Sequence, residues 1–245
     1  IKKLEREGYI KKYAAVLEHY RQNAQDGLKY KAALFLIDNM DGHQSPEGDG
    51  IELYQKKIME FRSKTNIEKL SEAWKDCNSG NSGTRMMPDS SVVSCKYLID
   101  NIDDAFSTWD KMPWKKEITF KQFCEYILPY RVKDEHLCEG WRLQLRQKYK
   151  SLLKNVTDMK SAFAIIRNNI FSRMVYAQTY TPYDLDVMSY EHIRRTTCEQ
   201  RSLIFASVLR AFAIPVAIDN IPVWADYSTM GHSWVSLVMN DGATY

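Results

Sequence analysis

The chain has 245 residues, of which 44% are hydrophobic and 27% charged, enough apolar material for a sizeable core and too much for a disordered segment. Its 34 basic and 31 acidic residues are interspersed and leave a formal net charge of +3, so no nucleic-acid partner is expected. No apolar run reaches the length of a membrane span and no signal peptide is visible; because the sequence opens at Ile1 without a Met, the expectation is that an N-terminal segment is missing.

In chain order, Leu4, Tyr9, Ala14, Val16, Leu17 and Tyr20 fall roughly on helical spacing and predict one helix over 1–23, ended near Gly27. A second helix is expected over 28–39. The stretch 40–50, rich in Gly, Asp and Pro, reads as a mobile loop. Helices are expected over 51–62 and 66–75, a loop over 76–83, and further helices over 92–106 and 120–128, with Pro113 and Pro129 as breaks. An amphipathic helix over 155–177 completes a division into a mostly helical region, 1–150, and a second unit, 151–245. There is no internal repeat and no heptad run.

The most informative stretch begins at Thr196-Thr197-Cys198-Glu199-Gln200-Arg201. Thr196-x-x-Glu199 and Thr197-x-x-Gln200 both have capping-box spacing, and from Ser202 to Phe212 the only charge is Arg210, so a buried helix starts at Cys198. Free N–H groups and the macrodipole at a helix N-terminus favour thiolate over thiol, and Arg195 and Arg201 add positive potential. Ile214-Pro215 marks an exit turn, 216–224 reads as a strand, and 225–231 as a polar loop. A second strand follows with His232, Trp234, Ser236 and Val238 on one face and Val235, Leu237 and Met239 on the core face. Asn240-Asp241-Gly242 is a hairpin signal, read as a two-residue turn. A cysteine at a helix start and a histidine at a strand start are the pair that acyl transfer needs, one as nucleophile and one as base.

The run Thr197 to Val216, ending Leu209-Arg210-Ala211-x-x-Ile214-Pro215, followed by Gly231-His232-Ser233-Trp234-Val235, resembles the core of the transglutaminase-like superfamily. That resemblance covers roughly the last third of the chain and implies a papain-like fold with a Cys-His-Asp triad, acting as transglutaminase, peptidase or amidase, or inactive. Cys198 and His232 take the first two places. The third residue, an Asp on the strand after the His strand, is not in the sequence: pairing across the turn puts the position opposite His232 about six residues or a little less past Tyr245. Either the full protein continues and supplies it, which is the expectation, or the triad is incomplete. The segment Phe120 to Val132, with Trp141-Arg142, resembles one that precedes the core in some bacterial cell-envelope members. Tyr130 or Arg131 there either walls a substrate groove or packs in the core, and packing is the expected role.

Other candidates weigh less. Cys124 and Cys138 with His136 between them lack a C-x-x-C pair, so no metal is expected, and no cofactor is implied. Five cysteines are an odd number, as expected if Cys198 stays free while others are buried or paired. His19 and His43 read as exposed polar residues. His192 and Tyr190 are candidate oxyanion donors beside the Cys198 N–H, and Trp234 a wall over the catalytic pair. The fold expected is α+β, a helical N-terminal region followed by a papain-like core in which a central helix packs on an antiparallel sheet, truncated at its C-terminal end. The function expected is a cysteine acyl-transfer enzyme hydrolysing peptide or protein amides through a thioester, with a cell-wall or glycan-associated substrate in view. The alternative is an inactive relative that binds a peptide or glycan. Localisation is not fixed by the sequence and leans to a bacterial cell envelope or secretion.

Overall fold

The first helical stretch is two helices, α1 (Lys2–Lys12) and α2 (Ala14–Arg21), in a computed structural model that describes residues 2–80, 83–223 and 231–245. Tyr13 makes the break. It is fully buried and its hydroxyl donates to Val93 O at 2.9 Å, a tertiary bond that overrides the local preference for one continuous helix. Gly27 opens α3 (Gly27–Asp38) and does not end the helix before it.

The expected mobile loop 40–50 contains β1 (Gln44–Glu47), with Ser45 and Pro46 buried. After α4 (Asp49–Met59) and α5 (Ile67–Cys77), β2 (Arg85–Pro88) pairs antiparallel with β1, Ser45 opposite Met87. Gly48 shows why glycine stands here. Its φ is +128°, and a Cβ would lie 2.7 Å from Gly83 O, so the residue serves a close backbone approach.

The stretch expected as one helix over 92–106 is α6 (Asp89–Val92) and α7 (Cys95–Lys111), the latter capped by Ser94, whose side chain accepts from Tyr97 N–H at 3.0 Å. Next come α8 (Phe120–Tyr126) and α9 (Trp141–Tyr149). Asp158 accepts from Ser161 N–H at 2.8 Å and so sets the start of α10 (Met159–Arg173) four residues later than the periodicity suggests. The helix stops at Arg173 and gives way to β3 (Val175–Tyr176), which pairs in parallel with β4 (Arg195–Thr196) after α11 (Val187–Ile193). The chain closes with α12 (Cys198–Ala211) and the antiparallel pair β5 (Val216–Ile221) and β6 (His232–Leu237). It is an α+β structure in which the described strands form three two-stranded sheets. No helix among the described residues is long and apolar enough to cross a membrane.

Every residue of α12 from Ser202 to Ala211 is buried, as its apolar sequence requires. It packs against α9, α10, α11 and the β5–β6 hairpin, and one buried cluster runs from Tyr13 to Leu237. Buried polar groups join the N-terminal helices to this centre. Asp89, fully buried, pairs with Arg131 Nε at 3.0 Å and accepts from Tyr130 Oη at 2.7 Å and Ser45 Oγ at 2.9 Å. Tyr130 and Arg131 are thus built into the interior, the packing role expected of them. Arg142 is 2% exposed and donates to Asn101 Oδ1 and to the carbonyls of Ile127, Leu128, Pro129 and Arg210.

Candidate functional site

Cys198 occupies the first position of α12, delivered there by β4. Thr197 is extended (φ −68°, ψ 175°); its Oγ1 accepts from Gln200 N–H at 3.2 Å, and Gln200 Oε1 accepts from Thr197 N–H at 3.1 Å. Of the two overlapping capping boxes in the sequence, this one forms. Cys198 is partly buried at an N-terminus whose dipole favours an anion. Arg201, one turn on, lies 5.1 Å from the Phe171 ring; burial pulls its pKa down, and the nearby Cys198 sulfur acts in the opposite sense. Arg195 is spent elsewhere, its Nε donating to Lys64 O at 3.1 Å and Thr65 O at 2.5 Å.

Beside the cysteine lies a charged cluster that sequence reasoning missed. Glu199 pairs with Lys133 at 2.6 Å, and Lys133 with Asp184 at 3.2 Å. Asp184 also accepts from Tyr190 Oη at 2.8 Å and Gln200 Nε2 at 3.5 Å, so it braces the capping box from below. No periodicity marks Asp184, which acts through residues up to 51 positions away. Tyr190 is fully buried, and with its proton given to Asp184 and its oxygen accepting from Leu185 N–H at 3.1 Å it has no donor left for a substrate. His192 Nε2 sits 2.9 Å from Phe61 O, which fixes its ring against the exit of α4. Neither residue offers an uncommitted donor at Cys198, unlike the role anticipated from their spacing.

The histidine arrives by the hairpin. Phe212 to Pro215 reverse the chain through Ala213 at φ +53°, and Trp114 Nε1 donates to Ala213 O at 3.1 Å, meeting a carbonyl the helix leaves open. β5 and β6 both pack against α12; fourteen helical residues and six strand residues each span about 20 Å, so a strand running back along the helix would bring Ile221 and its partner His232 toward the Cys198 end. Val235 and Leu237 are buried on the expected core face, but Ser236 and Val238 on the other face are buried too. The burial of this strand therefore does not alternate past Trp234, which is 40% exposed with its ring 6.1 Å from that of His232 at 24°. Partial desolvation lowers the His232 pKa, which favours the neutral imidazole. Asp219, opposite Trp234, accepts from Ser236 Oγ at 2.5 Å on the same face as His232. Most of the expected loop 225–231, and Trp224 at the expected strand end, lie outside the described residues.

Gly231 sets the entry to β6. A Cβ there would meet Ile221 O at 2.8 Å and Pro222 O at 3.1 Å. Gly231→Ala must therefore open the hairpin mouth next to His232, and the expected result is a loss of roughly 1–3 kcal/mol in denaturant unfolding. Unchanged stability would mean the strand pair yields freely.

After β6 the chain turns through Asn240, Asp241 and Gly242. Met239 N–H donates to Ala243 O at 2.8 Å and Gly242, at φ +82°, donates to Met239 O at 3.0 Å, a three-residue loop with a left-handed glycine and not the two-residue turn read from the sequence. Leu237 and Tyr245 exchange hydrogen bonds of 2.8 and 2.9 Å. In this register a strand continued beyond Tyr245 would set its fifth residue opposite His232. Asp241 accepts from Ala243 N–H at 2.9 Å and stays in the turn.

All five cysteines are free thiols; of the two alternatives expected for the others, buried or paired, none is paired, and Cys124 is buried while Cys77, Cys95 and Cys138 are partly buried. Burial pushes Cys124 and Cys138 up to about 12.

No family model matches the sequence, and no curated protein matches it. A solved structure of a provisionally assigned cysteine protease from Cytophaga hutchinsonii aligns with 44% of the chain at 14% identity and a TM-score of 0.38. The chain spans 36% of that protein's length, and a score this low describes a partial overlap of elements.

Proposed function

We propose that the chain carries the nucleophile and base of a cysteine acyl-transfer enzyme of the transglutaminase-like, papain-like type, hydrolysing peptide or protein amides. The observation that carries this reading is Cys198 at the capped N-terminus of a buried helix, with the strand of His232 packed along the same helix. In the reaction His232, neutral at rest, takes the Cys198 proton, and the thiolate adds to the amide carbonyl. The helix N-terminal N–H groups face the negative charge that grows on the carbonyl oxygen. Imidazolium gives its proton to the leaving amine, and a thioester remains. His232 then deprotonates water, which attacks the thioester; the acid leaves and the thiol is restored. An amine in place of water would give transamidation. Hydrolysis is the reading adopted, because Cys198 is partly exposed and a transamidase must keep water from its thioester. A carboxylate or amide opposite His232, on a strand continuing past Tyr245, would hold the imidazole in its working tautomer.

The test is the pH dependence of Cys198 alkylation by iodoacetamide, followed by peptide mass mapping, in the protein and in His232→Ala. A thiol ionising well below the roughly 8.5 of free cysteine, moving up toward that value in His232→Ala, supports the assignment. A slow thiol indifferent to His232 removes the base and leaves a binding protein for a peptide or glycan.

A further inference from the structure

Arg201 follows Cys198 by one turn on the same side of α12, close enough for the sulfur to act on its charge. Its guanidinium stands 5.1 Å from the Phe171 ring, and Arg167 lies over the same ring at 5.0 Å. The two charges are therefore within about one screening length of each other, about 10 Å at 0.1 M salt. Other arginines of the fold are met by carboxylates, Arg131 by Asp89, Arg146 by Asp104 and Arg173 by Glu191. Arg201 and Arg167 have no carboxylate within ion-pair distance among the described residues. The Arg201 Nε is buried without a partner, whereas Nη1 and Nη2 are neither buried nor bonded among the described residues, so the outer fork of the guanidinium is open to solvent. Phe171 beneath it is 44% exposed and Arg167 is exposed.

The other side of the thiol has the opposite sign. On the helix Glu199 is turned about 100° one way from Cys198 and Arg201 about 60° the other. On the first side Glu199 and Asp184 share the single ammonium of Lys133; on the second two guanidiniums stand without a counter-charge. A group lying across Cys198 thus meets cations toward α10. Resting on the assignment of Cys198 as nucleophile, we propose that Arg201, assisted by Arg167, determines specificity by selecting acidic acyl donors, peptides with a carboxylate within about two residues of the scissile amide. A planar fork with two open donors suits a carboxylate, and stacking on Phe171 holds the fork in place before substrate arrives. The carboxylate is either an Asp or Glu side chain or the end of the peptide, since both present the same group.

The experiment compares the rates at which Cys198 reacts with iodoacetate, an anion, and with iodoacetamide, its neutral counterpart, each followed by peptide mapping. Both reagents meet the same thiolate, so their ratio cancels the thiol pKa and is read whether or not any amide is cleaved. Arg201→Gln should lower the iodoacetate-to-iodoacetamide ratio about three- to tenfold, an effect that fades in about 1 M salt, while Arg201→Lys keeps most of it. Arg167→Gln, a change at an exposed side chain, should lower it by less. Peptides then compete with iodoacetamide for Cys198: acetyl-Ala-Glu-Ala-Ala-amide, its counterpart with Gln for Glu, and that Gln peptide with a free C-terminus. Stronger protection by the Glu peptide than by the capped Gln peptide, lost in Arg201→Gln, assigns a side-chain carboxylate; protection by the free acid alone assigns a chain end. The proposal fails if folded Arg201→Gln or Arg167→Gln keeps the parent ratio, if Arg195→Gln lowers it as far as Arg201→Gln, or if neither acidic peptide protects better than the capped neutral one. Acidic peptides that bind through Arg201 and are not cleaved would count against hydrolysis and leave the acidic recognition in place.

Discussion

Cys198→Ala should lower amide hydrolysis by about four orders of magnitude or more, to the residual rate that binding and the helix N–H groups alone support, while leaving the unfolding transition close to that of the parent protein. The activity loss follows from the proposed thioester, which has no counterpart without the sulfur. The small stability effect follows from the position: a partly exposed first-turn residue whose helix is capped by Thr197 and Gln200, neither of which the change touches. The other thiols give an internal control. Cys124 and Cys138, held near 12 by burial, present only about one thiolate in 10⁵ at neutral pH, so neither can substitute as nucleophile or compete for an alkylating probe. Activity would be followed on a panel of fluorogenic peptide amides, and the acyl-enzyme by intact mass after an acid quench. Undiminished turnover in Cys198→Ala, on a substrate the protein cleaves, would place the chemistry on other residues.

The features legible in the sequence are those written by near neighbours. The start of α12 is set by Thr197 and Gln200, three residues apart, and the capping box forms as its spacing requires. Side-chain geometry assigns Val235 and Leu237 to the core face of β6, where they are buried, but it does not foretell that Ser236 and Val238 on the other face are buried as well. The residues after Met239 mark a turn without stating its size. Asn-Asp-Gly fits a tight hairpin either way, and the loop length is decided by which residue goes left-handed, here Gly242. Features set by distant partners leave no such mark. β1 exists because Arg85–Pro88 lies beside it, and Ser45 is buried because Asp89, forty-four residues on, accepts its hydroxyl. Composition alone makes 40–50 look like a loop. The candidate site divides in the same way: the helix start at Cys198 and the strand start at His232 are legible in the sequence, whereas Asp184 and Lys133 come beside them only through the chain's return past Glu199 and Gln200.

The largest structural effect is expected at Arg142, the side chain that fastens the N-terminal helices to α12. Arg142→Met should cost about 2–4 kcal/mol, seen as a fall of roughly 5–12 °C in Tm. Two terms oppose each other. Methionine relieves the burial of a cation that has no carboxylate within ion-pair distance among the described residues, and burial already lowers the Arg142 pKa to about 9. Against this, the carbonyls of Ile127, Pro129 and Arg210 each lose a donor, and the 127–129 turn that leads into Tyr130 and Arg131 loses its clamp. Leu128 O is partly insured, because Asn101 Nδ2 also donates to it at 2.9 Å. Arg210 O likewise keeps the Ala213 N–H at 3.0 Å, so the carbonyls left unmet are those of Ile127 and Pro129, and at about 1–3 kcal/mol each the two outweigh the relief. Arg142→Lys keeps the charge but has three donors on a point-like head, which cannot span acceptors spread over three separate segments, so it should fall between the two. A Tm within about 2 °C of the parent in Arg142→Met would show that water replaces the guanidinium, and that α12 is held by its apolar contacts alone.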